Sequence, residues 1–201
     1  MSPSLCRLRA VLTCALIAAM TACASQGEPR PMGPEGPETA QAADIDLSRF
    51  MGTWYVTAHI PYFAERGHVT GRYEYTAREG DRIGVRYLHR EGFGEPEQVR
   101  EARASVKGGS GNRDWTLWFV GVVPAKFHIL EVAPDYSWAL ISYPERDLGW
   151  IFSRSPDMDD AVYQQLIRKM RDHGVNARQL VREPQLPSQV GRPGFADPKK
   201  P

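Results

Sequence analysis

Eight short stretches between residues 53 and 154 alternate apolar and polar side chains, each separated from the next by turn-forming residues. Alternation with a period of two is the mark of a strand that buries one face and wets the other. The stretches run 53–60, 69–76, 83–88, 98–107, 115–120, 127–133, 136–142 and 148–154. Pro61 ends the first, Glu79-Gly80-Asp81 turns the second into the third, and Gly108-Gly109-Ser110-Gly111-Asn112 divides the fourth from the fifth. Gly92-Phe93-Gly94-Glu95-Pro96 is a loop, and Pro134-Asp135 and Pro144-Glu145-Arg146-Asp147 join the last three. Connections this short favour an antiparallel meander, in a sandwich or a barrel, over a parallel sheet. No internal repeat is visible.

A single helix follows. Asp157 after Pro156 is the expected N-cap, and Asp159 and Asp160 suit the positive end of the helix dipole. Met158, Val162, Leu166 and Met170 recur every four residues, with Tyr163 and Ile167 beside them, so one apolar stripe needs a surface to cover. The outward faces around His128, Leu130, Val132 and Ile151 are the candidates. Gly174 is the expected stop, and a short strand over 177–181 follows.

The ends of the chain differ from this middle. Arg7 and Arg9 precede an apolar run from Ala10 to Met20, too short to span a bilayer and ending in small residues, as a secretory leader does. The boundary Met20-Thr21-Ala22-Cys23 resembles the lipobox of bacterial lipoproteins. That resemblance implies a cleaved leader over 1–22, acyl chains on Cys23, and an outer-membrane anchor with the domain facing the periplasm. Cys6 and Cys14 would leave with the leader, so Cys23 alone remains and no internal disulfide can form. Residues 23–43, rich in Pro, Gly, Glu and Ala, read as a tether, residues 44–183 as one domain, and residues 184–201 as a disordered tail. Loss of the leader lowers Lys+Arg from 25 to 23 against 24 acids, which gives no electrostatic case for nucleic acid.

Gly52-Thr53-Trp54 at the first strand, Asp135-Tyr136 between the sixth and seventh, and Ser153-Arg154 at the end of the eighth stand in the order and spacing of the three lipocalin motifs. Phe63-Ala64-Glu65-Arg66-Gly67 and Trp150-Ile151-Phe152-Ser153-Arg154-Ser155-Pro156 resemble the bacterial outer-membrane lipocalins and their apolipoprotein D-like relatives. The resemblance implies an all-β fold, an eight-stranded antiparallel up-and-down barrel with one C-terminal α-helix packed outside. It also implies that Arg154 packs over Trp54 to close one end with Gly52.

If the faces carrying Trp54 and Arg154 point inward, so do Val56 and Ala58, and the candidate ligand wall follows. It comprises Tyr73, Val85, Tyr87, Ala102, Ala104, Leu117, Phe119, Phe127, Ile129, Trp138, Leu140 and Trp150. Glu131 shares their parity and would meet a head group, unless a bend turns it away. Tyr62 and Phe63 would form a lid. Large aromatics among alanines leave room for an elongated apolar guest. The expected partners are a fatty acid, a lysophospholipid or a similar small apolar ligand, and the membrane through the anchor. Oligomeric state stays open, a homodimer included. The five histidines, His59, His68, His89, His128 and His173, show neither metal-ligand spacing nor a neighbouring nucleophile, and read as packed or solvated. No residue demands a cofactor. A binding protein is the leading class, with a lipid-modifying enzyme on the same scaffold or a structural protein with a filled barrel as alternatives.

Overall fold

The alternating stretches form β1 (Gly52–His59), β2 (Val69–Ala77), β3 (Arg82–Arg90), β4 (Gln98–Val106), β5 (Asp114–Phe119), β6 (Ala125–Val132), β7 (Trp138–Tyr143) and β8 (Leu148–Ser153) in a computed structural model. That structure describes residues 43–119 and 124–199; the expected leader, Cys23 and the tether up to residue 42 lie outside the described residues. All pairings between consecutive strands are antiparallel, and β1 pairs with both β2 and β8, which closes the sheet into an eight-stranded barrel. Closure removes the free edges. A ninth strand, β9 (Val181–Arg182), joins β1 from outside that circle. One turn of helix, α1 (Leu47–Phe50), precedes β1, and α2 (Asp160–Asp172) follows β8.

Two apolar cores result. The inner one fills the barrel with residues such as Trp54, Tyr75, Val85, Trp115, Ile129 and Phe152. The outer one lies between α2 and the wall and joins Leu166 and Met170 to Ala58, Ile60, Leu140 and Ile151. The helix starts later than expected, with Asp159 rather than Asp157 as N-cap: its carboxylate accepts from the N–H groups of Ala161 and Val162. Tyr163, Leu166 and Met170 are the buried face, and Val162 is turned towards solvent. Leu130 and Ile151 form part of the covered wall, whereas Val132 packs against the inner core and His128 pairs with Asp114.

Four inward assignments are corrected. In β1 the register shifts between Val56 and Ala58, so Val56 stays inside while Ala58 turns out to the helix and His59 turns in. A bulge inserts a residue and reverses the alternation beyond it. The same happens in β6 between Ile129 and Glu131, which puts Glu131 on the outer wall, paired with Lys169 and His173 of the helix region. In β7, Ala139 lies opposite Phe152 and Ile141 opposite Trp150, so these two face inward, while Trp138 and Leu140 face out. Strand β7 is apolar on both faces because the helix covers its outside, and parity alone could not choose between them.

The expected disordered tail is ordered as far as Lys199. Beyond Tyr55 and Arg72 the pairing of β1 with β2 stops, and the chain after β9 fills the gap. Glu183 N–H donates to Thr57 O (3.0 Å), Thr70 N–H donates to Pro184 O (2.9 Å), and the Gln185 amide donates to Val56 O (2.9 Å) and Gly71 O (3.1 Å). Gln189 then accepts the N–H groups of Gln185 and Leu186. Arg182 sits over the rings of Tyr163 and Phe195 and pairs with Asp160. Backbone groups that the split would have left without partners are satisfied by this strap, and that need holds a Pro- and Gln-rich segment in place.

Candidate ligand-binding site

The two ends of the barrel are built differently. At the closed end Asp46 caps α1, its carboxylate accepting from the N–H groups of Ser48 and Arg49. The turn drives Phe50 into the barrel against Trp54 and Trp115. Gly52, at φ +95°, reverses the chain into β1 in a conformation that L side chains rarely adopt. The Trp54 indole N–H donates to Phe50 O (2.7 Å). Arg154 lies with its guanidinium 3.8 Å from the centre of the Trp54 ring and donates to the carbonyls of Thr53, Arg49, Phe50 and Met51. Its fork thus satisfies the carbonyls that a one-turn helix leaves free. Tyr136 completes the seal: its ring lies under Arg49 and its hydroxyl accepts the Asp46 N–H. Gly52, Trp54 and Arg154 meet at this end.

Large side chains fill the half of the barrel next to this seal. Val85, Ala102, Ala104 and Ile129, expected in the ligand wall, pack into that core. The other half is hollow. Two adjoining lobes of about 330 and 530 Å³ share Tyr62, Phe63, Tyr73, Phe119 and Ala125. Volumes of a few hundred Å³ are those of small-molecule sites. Of the expected wall, Tyr73, Tyr87, Leu117, Phe119, Phe127 and Trp150 line the lobes, joined by Tyr143, Leu148 and Phe152. The segment between β1 and β2 crosses this end, with Tyr62 turned in against Trp150 and Phe63 at its tip, 91% exposed. Three cations, Arg100, Lys126 and Arg146, border the lobes, and none of them forms an ion pair among the described residues.

Behind the apolar wall lies a polar cluster that the sequence did not disclose. Glu65, from the same crossing segment, is buried and lines the larger lobe. It accepts from the Tyr73 hydroxyl (2.7 Å), the Tyr62 hydroxyl (3.2 Å) and the Trp150 indole N–H (2.8 Å). His59, turned inward by the bulge, stands between two carboxylates: Nδ1 is 3.8 Å from Glu65 and 3.4 Å from Glu183. Glu183 reaches in from the strap and accepts the Gly71 N–H (2.5 Å). Burial opposes a charge on His59, but the two carboxylates outweigh it and its pKa lies above the ordinary imidazole value. Burial likewise pushes the Glu183 carboxyl up, against the pull of His59. His68 and His89 stack at 3.8 Å, and His68 shares a 2.9 Å hydrogen bond with the Tyr87 hydroxyl. Burial and neighbouring cations press their pKa values down to about 3 and about 4, so both rings are neutral at pH 7. The described residues contain no group of three or more His, Cys, Asp or Glu placed to hold a metal ion. The one available signal was a histidine at the end of an otherwise apolar strand; its partners, Glu65 and Glu183, come from segments without periodicity.

A closed antiparallel barrel, sealed by an arginine over a tryptophan and hollow at the other end, is the architecture of the calyx-shaped proteins. This chain belongs to the lipocalins: the family model of the Lipocalin-like domain matches residues 45–185. It is 28% identical over 154 residues to temperature-induced lipocalin-1 of Arabidopsis thaliana, an alignment covering 70% of this chain and 80% of that one. It is 26% identical over 141 residues to outer membrane lipoprotein Blc of Escherichia coli K12, covering 69% and 78%. Among solved structures, insecticyanin of the tobacco hornworm superposes with a TM-score of 0.57 at 18% identity, over 78% of this chain and 86% of that one. Lobster apocrustacyanin A1 gives 0.57 at 18%, over 71% and 81%. These structures share the fold.

Proposed function

We propose that the protein binds a single-chain amphiphile, a fatty acid or lysophospholipid, with its tail in the barrel and its anionic head at the mouth. The observation that carries the reading is the polarity of the cavity. Its walls are aromatic and aliphatic, its inner polar group is the buried carboxylate Glu65, and Arg100, Lys126 and Arg146 stand at its border. An anion entering head-first would approach Glu65 where water cannot screen the repulsion. Entering tail-first, it buries apolar area at roughly 25 cal/mol per Å² and leaves its charge near three cations. Attachment to the bacterial outer membrane through acylated Cys23, and a carrier or storage role in the envelope, belong to the same proposal. They are supported by the lipobox resemblance and by relatives named outer membrane lipoproteins.

The test uses the full chain with Cys23→Ser, which removes the acylation site, and fatty acids brominated near the carboxylate or at the chain end. Chain-end bromine should quench Trp115 more strongly, because Trp115 packs against Phe50 at the closed end of the barrel. Arg146→Gln with Lys126→Gln should weaken a fatty acid several-fold and leave an uncharged monoacylglycerol unchanged. Equal quenching from both positions, or no binding of any such lipid, would sink the reading.

A further inference from the structure

The segment crossing the mouth is tied to the barrel at several points, by Arg100 on Ala64 O, by Lys199 N–H on Gly67 O, by His68 on Tyr87 and, at its centre, by Glu65. Residues 61–68 contain no strand or helix, and Phe63 at their tip is almost fully in solvent. Glu65 alone reaches from this segment to three separate points: its own neighbour Tyr62, Tyr73 of β2 and Trp150 of β8. All three also line the cavity. Glu65 therefore ties the crossing segment to β2 and β8, the two strands that flank β1, and the tied groups form part of the cavity lining.

We propose that Glu65 is the latch of the cavity and that the proton on His59 sets how firmly it holds. The inference rests on the ligand-binding reading above and adds its regulation. His59 is the basic partner within the cluster, set between Glu65 and Glu183, and both acidic side chains are out of water. Glu65 and Glu183 face it directly, and the other ionisable groups of the cluster come from the surrounding elements. The crossing segment brings Glu65, Tyr62 and His68; the strap brings Glu183; β2, β3 and β4 bring Tyr73, then Tyr87 with His89, and Arg100; the C-terminal end brings Lys199. The three phenols are pushed up by burial and stay neutral, and so do His68 and His89. Arg100 is exposed at the border and its Nη1 donates to Ala64 O, a bond that helps seat the same segment.

With its proton, His59 offsets one of the two buried negative charges. Without it, two carboxylates remain beside each other in a low-dielectric wall with no cation between them. The relief available is outward movement of Glu65, the one of the pair that sits on an irregular segment, while Glu183 is fixed by the Gly71 N–H and the strap. A histidine whose folded pKa is raised stabilises the closed form fully below the free imidazole value of 6.5. That contribution is lost as pH rises through the folded pKa. The cavity is therefore closed below the free imidazole value and loosens as pH rises through the raised one. By reciprocity, a ligand that needs the closed form raises the His59 pKa further.

The experiment uses full-length Cys23→Ser protein and a pyrene-labelled monoacylglycerol, whose charge does not change with pH. Binding is measured from about pH 6 to about pH 9.5, a span that brackets imidazole titration. Affinity should fall about tenfold across the titration. His59→Gln should give a flat profile at the weak, alkaline level. A wild-type slope retained in His59→Gln, or a flat wild-type profile, would overturn the proposal. If His59→Gln does not fold, NMR of the unliganded wild-type protein decides: the Trp150 indole N–H resonance should move with the titration of His59. A Trp150 signal that stays fixed while His59 titrates also overturns it. Failure of every lipid to bind removes the ligand reading and leaves this second measurement standing.

Discussion

The closed end and the mouth of this barrel solve the same problem, burying polar groups inside an apolar wall, in opposite ways. At the closed end one permanent cation, Arg154, meets neutral carbonyls and an aromatic face, and each of those bonds has good geometry. Nothing there changes charge near neutral pH. At the mouth the buried groups are titratable, and several atoms, His59 Nδ1 and Glu183 Oε2 among them, lack a hydrogen-bond partner among the described residues. Buried polar atoms without partners cost stability, on the order of 1–3 kcal/mol each. The difference teaches that the closed end is arranged for rigidity, while the mouth gives up stability in exchange for a response to protons and ligands.

The sharpest way to break this comparison is to remove the seal. Trp54→Ala deletes a fully buried ring that Phe50 and Arg154 pack against, and a cavity of that kind costs about 3–5 kcal/mol. For a domain of this size the melting temperature should drop by roughly 10 °C. Lipid affinity, measured well below the transition, should stay within about twofold of wild type, an order set by the absence of any Trp54 contact with the cavity. A melting temperature unchanged alongside lost binding would show that the closed end, and not the mouth, takes the ligand.

Most of the closed end was readable in the sequence, and most of the mouth was not. The seal depends on three short motifs that resemble those of the lipocalins, and that resemblance implied the meeting of Gly52, Trp54 and Arg154. Alternation also placed all eight barrel strands within a few residues of their ends. It failed where geometry departs from a period of two. The bulge after Val56 sends Ala58 out and brings His59 in, and the bulge before Glu131 moves that carboxylate to the helix side. Strand β7 is apolar on both faces, so Trp138 and Leu140 were assigned to the wrong one. The strap looked like a tail because Gln185 bonds to backbone distant in sequence and Gln189 to the distant Asp157 side chain, contacts that leave no local pattern.

The strap offers the next test. Gly71 lies so close to Glu183 that an added Cβ would overlap its carboxylate, and the contact is to a side chain already held by the Gly71 N–H. Gly71→Ala should displace Glu183 from the gap between β1 and β2. The expected loss is about 2 kcal/mol, in the range for an overpacked buried site, and amides near Thr70 and Glu183 should exchange faster with deuterium. Because Glu183 is one of the two carboxylates that raise the His59 pKa, that pKa should move down and the alkaline loss of affinity should begin at lower pH. Unchanged exchange in the strap would mean that Glu183 can be accommodated elsewhere and that its place beside His59 is incidental.

The smallest expected effects separate the two ends most cleanly. Tyr73→Phe and Tyr136→Phe each delete one hydroxyl, the first at the mouth and the second at the closed end. Tyr73 donates to Glu65, whose Oε1 keeps a second donor in Tyr62, so the carboxylate is not stranded and the cost is about 1 kcal/mol. Tyr136 accepts the Asp46 N–H at the protein surface, where water replaces it, and its removal should cost less. Calorimetry should therefore give shifts of only a few degrees for both. Binding should not treat them alike. Loss of the Tyr73 hydroxyl weakens one of the three contacts of Glu65 in the cavity lining, so lipid affinity should change several-fold, while Tyr136→Phe leaves it unaltered. If both variants bound lipid as the wild type does, the contacts of Glu65 would be packing alone, and the mouth would differ from the closed end in composition but not in role.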